Sequence, residues 1–183
     1  LQTFAALAVS SIAGYGFEIY HDKAKDTVMA ILMLAMMVPF VAVLVPLFQM
    51  FTKAKLINSW TGFILPSIAT PFLIMYFRNS ARSFPRDTLE AARIDGLNEF
   101  QIFIRMFIPM MKPTYASAAT ITFMGAWNAY LWPKVVMQTN EAITMPMLVA
   151  NTMGGYVIDY GVVMAAVTIC SLPTVIIFFC LQK

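Results

Sequence analysis

The chain of 183 residues is 60% hydrophobic and only 11% charged, with a net charge of +3. A soluble domain carries about 25% charged residues, so this composition excludes an ordinary water-soluble globule and points to an all-α membrane protein. The small positive excess gives no argument for nucleic-acid binding.

Five runs without Asp, Glu, Lys, Arg or His follow one another: Leu1–Phe17, Thr27–Thr52, Leu56–Phe77, Thr114–Pro133 and Tyr160–Gln182. The last four approach the ~20 residues that a helix needs to cross about 30 Å of hydrocarbon. Leu1–Phe17 is slightly short and opens without a methionine or a basic start. It reads as a cut helix of a longer protein rather than a signal peptide. Pro39, Pro46, Pro66, Pro71 and Pro173 are expected to interrupt their helices. Cys170 and Cys180 stand ten residues apart on the last span, about 15 Å along a helix axis, so no disulfide joins them.

With five spans the links alternate sides. One side collects Lys23, Lys25, Arg78, Arg82, Arg86, Arg93, Arg105, Lys112 and Lys183, nine basic residues; the other has Lys53, Lys55 and Lys134, three. Basic residues favour the cytoplasmic face, so residues 78–112 are expected there and residues 134–159 outside. Residues 78–112 hold six Arg or Lys. At about 2.5–3.5 kcal/mol for each at the bilayer centre, this segment stays out of the membrane.

Within it, Pro85 and Asp87 mark a helix start, with Asp87 as cap and Glu90 completing a capping box. Leu89, Ala92 and Arg93 share one face. Ala91 and Ala92 make a thin surface that a partner backbone can approach. Gly96 is expected to stop the helix in the left-handed conformation. Asn98 with Gln101 starts a second helix, whose apolar stripe is Phe100, Phe103, Ile104 and Phe107. Pro109 and Pro113 are expected to end it, Pro113 within the first turn of the fourth span. From spacing alone, a simple connector and a docking element fit equally.

Glu90-Ala91-Ala92, Gly96 and Pro109 resemble the EAA signature of the membrane subunits of binding-protein-dependent ABC importers. That signature reads E-A-A, three residues, G, nine residues, then I-x-L-P; here Met106 and Ile108 replace its Ile and Leu. Arg93-Ile94-Asp95-Gly96, Phe123 with Trp127-Asn128, Thr144-Met145-Pro146, Ala165-Ala166, Leu172-Pro173 and Leu181-Gln182-Lys183 are similar to carbohydrate importers of the maltose type, and Leu7–Tyr15 to that family's second span. The resemblance covers nearly the whole chain and is nearest to the smaller, six-span permease subunit, without its first span and short C-terminal tail.

The resemblance implies a MetI-like permease fold, a single transmembrane domain over residues 1–183 that does no chemistry itself, in a bacterial inner membrane. Implied partners are cytoplasmic ATPase subunits, a second homologous permease, an extracellular solute-binding protein and membrane lipid. No cofactor or metal is implied. Glu90, Ala91, Ala92, Arg93, Asp95 and Gly96 would couple to the ATPase, although Arg93 and Asp95 also suit local ion pairs. Residues 134–159 would form a loop that meets the binding protein, with Asn140, Asn151, Thr152, Gly154 and Gly155 as its polar and flexible positions. Trp127, Asn128 and Tyr130 are candidates for a sugar path. For Tyr130 and Trp132 a membrane-interface belt is the favoured alternative.

Other classes fit less well. No G-x-x-x-x-G-K-[ST] loop occurs, so ATP hydrolysis falls to a separate subunit. An ion-coupled secondary transporter or channel subunit is the alternative, but the span interiors lack the ionisable residues it favours. No H-E-x-x-H or G-x-S-x-G occurs, which argues against an intramembrane hydrolase. Glu18 and His21 lie at the cytoplasmic end of the first span, where a lone His reads as a solvated end residue rather than a relay.

Overall fold

A computed structural model describes residues 1–139, 143–154 and 158–181. These residues are almost wholly helical, with no strand among them. In chain order they form α1 (Gln2–Ile19), α2 (Lys23–Ala35), α3 (Phe40–Lys53), α4 (Trp60–Ile64), α5 (Pro71–Ala81), α6 (Arg86–Ile94), α7 (Glu99–Ile102), α8 (Ile108–Met110), α9 (Lys112–Trp127), α10 (Leu131–Val136), α11 (Met145–Thr152) and α12 (Tyr160–Leu181). The all-α expectation holds. By length and apolarity one described helix, α12, can cross a membrane by itself. Two further candidates qualify only as interrupted pairs, Lys23–Ala35 with Phe40–Lys53 and Trp60–Ser67 with Pro71–Ala81.

The prolines divide into two kinds. Pro39 is the N-cap of α3, Pro66 lies in the 3-10 turn after α4, and Pro71 opens α5, so these three do break their runs. Pro46 and Pro173 sit inside α3 and α12, which continue through them, against expectation. Neighbouring groups can re-satisfy the one carbonyl that a helical proline frees.

The chain divides into two compact units. The first comprises residues 3–37 and 68–119 with Leu1. Here α1 meets α5 closely. Ala6, Ser10 and Gly14 recur every fourth residue on α1 and are all buried. This small-residue stripe lets backbones approach as in membrane helix pairs. Ala6 packs with Leu73, Phe77 and Ala118. A Cβ on Gly14 would lie 2.6 Å from Phe77 Cβ and 2.7 Å from the Arg78 backbone nitrogen. Asp22 caps α2 by accepting from the Lys25 N–H at 2.8 Å, and α2 packs on α5.

The second unit comprises residues 38–67 and 120–183 with Gln2. Its apolar centre is Phe51, Trp132, Val136 and Met137, with Leu44, Leu47 and Phe63 against it. Trp132 is 7% exposed, its indole N–H donates to the Gly62 carbonyl at 3.2 Å, and its ring stands edge-on to Phe51 at 5.1 Å. The interface-belt reading of Trp132 is thereby corrected: its N–H has a partner inside the unit, so the ring need not seek water. Gly62 also approaches the Leu56 carbonyl so closely that a Cβ would lie 2.0 Å from it. Gly62→Ala is expected to cost about 3 kcal/mol, the upper end for overpacking, read as a lower melting temperature in detergent.

Candidate functional site

Residues 78–112 fold as α5's last turn, α6, a tight corner, and a second helix. Helix α6 starts at Arg86 with Pro85 as N-cap and no side-chain cap. Asp87 therefore does not cap, and no capping box forms with Glu90. The helix begins earlier than expected, which puts Asp87 in its first turn, where its charge favours the N-terminal dipole. The stop at Gly96 is as expected. Gly96 has φ +80°, its N–H donates to the Arg93 carbonyl at 3.1 Å, and the Leu97 N–H donates to the Ala92 carbonyl at 3.1 Å. This pair of bonds is a Schellman ending. Asn98 and Gln101 then form the expected reciprocal capping box, at 2.9 and 3.0 Å.

The second helix differs from expectation in its middle. Phe103–Phe107 is π-helical, with the Ile108 N–H reaching back to the Phe103 carbonyl. The wider turn precedes Pro109, whose ring would crowd the carbonyl four residues back in a regular helix. Pro109 lies in α8 rather than ending the helix. The π turn also rotates the side chains. Ile102, Phe103 and Phe107 are buried, whereas Phe100 is 69% and Ile104 44% exposed, so the expected stripe is half right.

The faces of α6 are distinct. Leu89 and Ala92 are buried in a cluster with Tyr15, Ala81, Phe84, Phe103 and Phe107. Ala92 thus packs on the chain's own core and adds nothing to a partner surface. Glu90, Ala91, Asp95 and Gly96 are exposed. A cleft of about 140 Å³ lies beside α6, lined by Glu18, Arg82, Arg86, Leu89, Glu90 and Arg93. Among the described residues Glu90 makes no ion pair. Arg93 does: its Nε donates to Glu99 Oε1 at 2.8 Å, and the Tyr15 hydroxyl donates to Glu99 Oε2 at 3.3 Å. Partial burial pushes the Glu99 carboxyl up, but hydrogen bonds from Tyr20 and Arg93, with the Arg93 charge, outweigh it and hold the carboxyl below its ordinary range.

A second charged group lies at the ends of α1, α2 and α5, beside His21. Arg78 is 6% exposed; its Nη2 donates to Asp26 Oδ1 at 2.6 Å and its Nε to Glu18 Oε2 at 3.3 Å. Arg82 adds a bond to the same Glu18 oxygen at 3.4 Å, and His21 stands 3.0 Å from Asp26. The hydrogen bond from Arg78 is the main cause that lowers the Asp26 carboxyl. The signal in the sequence was an opposite charge at the edge of three uncharged runs.

The remaining candidates are placed as follows. The Trp127 indole donates to the Cys170 carbonyl at 2.9 Å and stacks on Phe123, so it ties α9 to α12 within the second unit. The Asn128 amide donates to the Met124 carbonyl at the end of α9. The Tyr130 hydroxyl accepts from Lys134 at 2.7 Å. Within the expected loop 134–159, Met145–Thr152 form the helix α11, which packs on α12. Thr144-Met145-Pro146 carried that helix start, since proline suits a helix's first turn. Asn151 is in α11 and accepts the Gly154 N–H at 3.1 Å, while Gly155 and Asn140 lie outside the described residues.

The profile of the binding-protein-dependent transport system inner membrane component matches residues 6–183. The chain belongs to that family. It is thus a membrane protein. The lactose transport system permease protein LacG of Rhizobium radiobacter is 42% identical over 181 residues, 99% of this chain and 66% of its own length. The arabinooligosaccharides transport system permease protein AraQ of Bacillus subtilis (strain 168) is 35% identical over 181 residues, 99% of this chain and 64% of its own. The chain therefore spans just under two thirds of these relatives' length. A solved bacterial ABC transporter involved in the import of the acidic polysaccharide alginate superposes with a TM-score of 0.81 at 21% identity, covering 100% of this chain and 74% of that one. The inward-facing MetNI methionine ABC transporter gives 0.68 at 22% identity, over 99% and 90%. Both establish the permease fold.

Proposed function

We propose that this chain is the membrane-spanning part of a non-catalytic permease subunit in an ATP-driven importer. It carries a sugar or oligosaccharide delivered by an extracellular solute-binding protein, pairs with a second permease subunit, and crosses a bacterial inner membrane several times. Its α6 docks on a cytoplasmic ATPase. The observation that carries this reading is the two-sided α6: Leu89 and Ala92 hold it to the core while Glu90 and Ala91 face outward. An exposed carboxylate beside a small side chain suits a groove on a partner that supplies a basic residue. The cargo class rests on the names of the relatives, a lactose and an arabinooligosaccharide permease. Asn151 and Gly154, with Gly155, are proposed to meet the binding protein from the outer face. Trp127, Asn128 and Tyr130 are proposed to lie along the path, with Asn128, which is exposed, as the residue able to meet a sugar hydroxyl.

Glu90→Lys and Gly96→Pro test the docking. Proline cannot adopt φ +80°, so the second change tears the corner. Both are expected to abolish copurification of the ATPase subunits while the permease still inserts in the membrane. Full copurification with both variants overturns the docking role. Uptake of labelled lactose that persists without ATP and collapses with the ion gradient overturns the importer.

A further inference from the structure

We propose that Glu99 is a positioning residue that ties the docking helix α6 to α1, through Arg93 on one side and Tyr15 on the other, so that the two helices shift as one body. The inference rests on the docking role of α6 and adds how its displacement reaches a helix far away in sequence. Glu99 stands at the start of α7, just past the corner. Glu99 Oε1 accepts from Arg93 Nε at 2.8 Å and Oε2 from the Tyr15 hydroxyl at 3.3 Å, and Tyr20, just past the end of α1, adds a hydrogen bond to the same carboxylate. One carboxylate therefore bridges α6 and α1 directly. Below it the Tyr15 ring is edge-on to Phe103 at 5.3 Å and to Phe107 at 4.9 Å. Leu89 and Ala92, the inward face of α6, are buried in the same apolar cluster, in which Tyr15 is the buried residue from α1. The apolar contacts resist separation but permit sliding. The hydrogen bonds are directional and oppose it. Arg93 and Glu99 are 42% and 38% exposed, so their pair adds little to stability. Its geometric effect is separable from folding for that reason. Arg93, which the family resemblance assigned to the ATPase contact, is directed to this internal role instead.

The test uses the full-length protein assembled with its ATPase subunits and second permease in lipid nanodiscs. Cys170 and Cys180 are replaced by serine, and spin labels are placed through Ile12→Cys on α1 and Asp87→Cys on α6. The inter-label distance is compared between the nucleotide-free state and the state trapped with ATP and vanadate. In the otherwise unsubstituted complex the two distances are expected to coincide. In Glu99→Ala and in Tyr15→Phe they are expected to shift apart, the shift in Tyr15→Phe growing when Tyr20→Phe is added, and Glu99→Ala is expected to add no further shift to that pair. Glu99→Gln, which keeps one acceptor oxygen, is expected to give a smaller shift than Glu99→Ala. Equal distances in every variant overturn the proposal, as does a shift already present without substitution. Copurification of the ATPase separates the two readings. If it is absent from the unsubstituted complex, the docking role fails and the bridge falls with it. If only Glu99→Ala loses it, Tyr15→Phe, which leaves the Arg93–Glu99 pair intact, decides.

Discussion

Replacing Gly14 with alanine is expected to destabilise the protein by about 2 kcal/mol, within the range for overpacking a close contact. Two residues further on, Gly16→Ala is expected to be neutral or to stabilise by up to about 1 kcal/mol, since alanine is the better helix former. The contrast follows from the surroundings. A Cβ on Gly14 would meet Phe77 Cβ at 2.6 Å, the Arg78 nitrogen at 2.7 Å and the Ile74 carbonyl oxygen at 2.9 Å, whereas a Cβ on Gly16 would meet nothing within 4 Å. Two of the three obstacles at Gly14 are backbone atoms of α5, which cannot rotate away. The helices would have to move apart along the Ala6–Ser10–Gly14 stripe, losing dispersion contacts over its whole length. Thermal unfolding in detergent, followed by intrinsic fluorescence, measures both variants side by side. Equal melting temperatures for the two would contradict the close approach of α1 and α5.

Arg78→Met is expected to cost about 3 kcal/mol, the low end for breaking a buried ion pair. The guanidinium is nearly buried and leaves two carboxylates behind. The Glu18 side chain is only 14% exposed, but Arg82 remains 3.4 Å from it, and the Asp26 side chain is 44% exposed and rehydrates. These two reliefs set the loss at the low end. Arg78→Lys is expected to recover part of it, because a single ammonium lacks the fork that reaches Glu18 and Asp26 together. The acid limb of the stability curve carries a second signature. Asp26 has its carboxyl lowered in the folded state, chiefly by the hydrogen bond from Arg78. A lowered carboxylate stabilises above its unfolded value, near ~3.9, and that contribution is lost as pH falls through the folded value. The wild type is therefore expected to lose more stability than Arg78→Met as pH falls below about 4. Urea unfolding at a series of pH values gives both curves.

The elements that were legible in the sequence are those whose cause is local. Asn98 with Gln101, and Gly96 after Ile94, need only their neighbours to form a capping box and a left-handed stop. Where two local signals competed, the pattern misled: Pro85 and Asp87 both mark a helix start, and the earlier one prevailed. The stripe on the second helix was misjudged at Phe100 and Ile104 because a 3.6-residue period was assumed through Phe103–Phe107, where Pro109 imposes a wider turn. Ala91 and Ala92 are indistinguishable by residue type, and only packing separates the exposed one from the buried one. Trp132 and Arg78 were hidden for a related reason: Gly62, Glu18 and Asp26, the residues that make burial tolerable, are distant in sequence.

The corner from Asp95 to Asn98 has a thermodynamic consequence. The Ala92 and Arg93 carbonyls are closed by the Schellman bonds and the Asn98 and Gln101 amides by the capping box, so the helix ends on both sides of the corner are already organised. A protein that receives α6 meets a preorganised shape, and little conformational entropy remains to be surrendered on contact. Association of this kind is governed by surface fit and by charge, and its speed responds to ionic strength more than to any folding step.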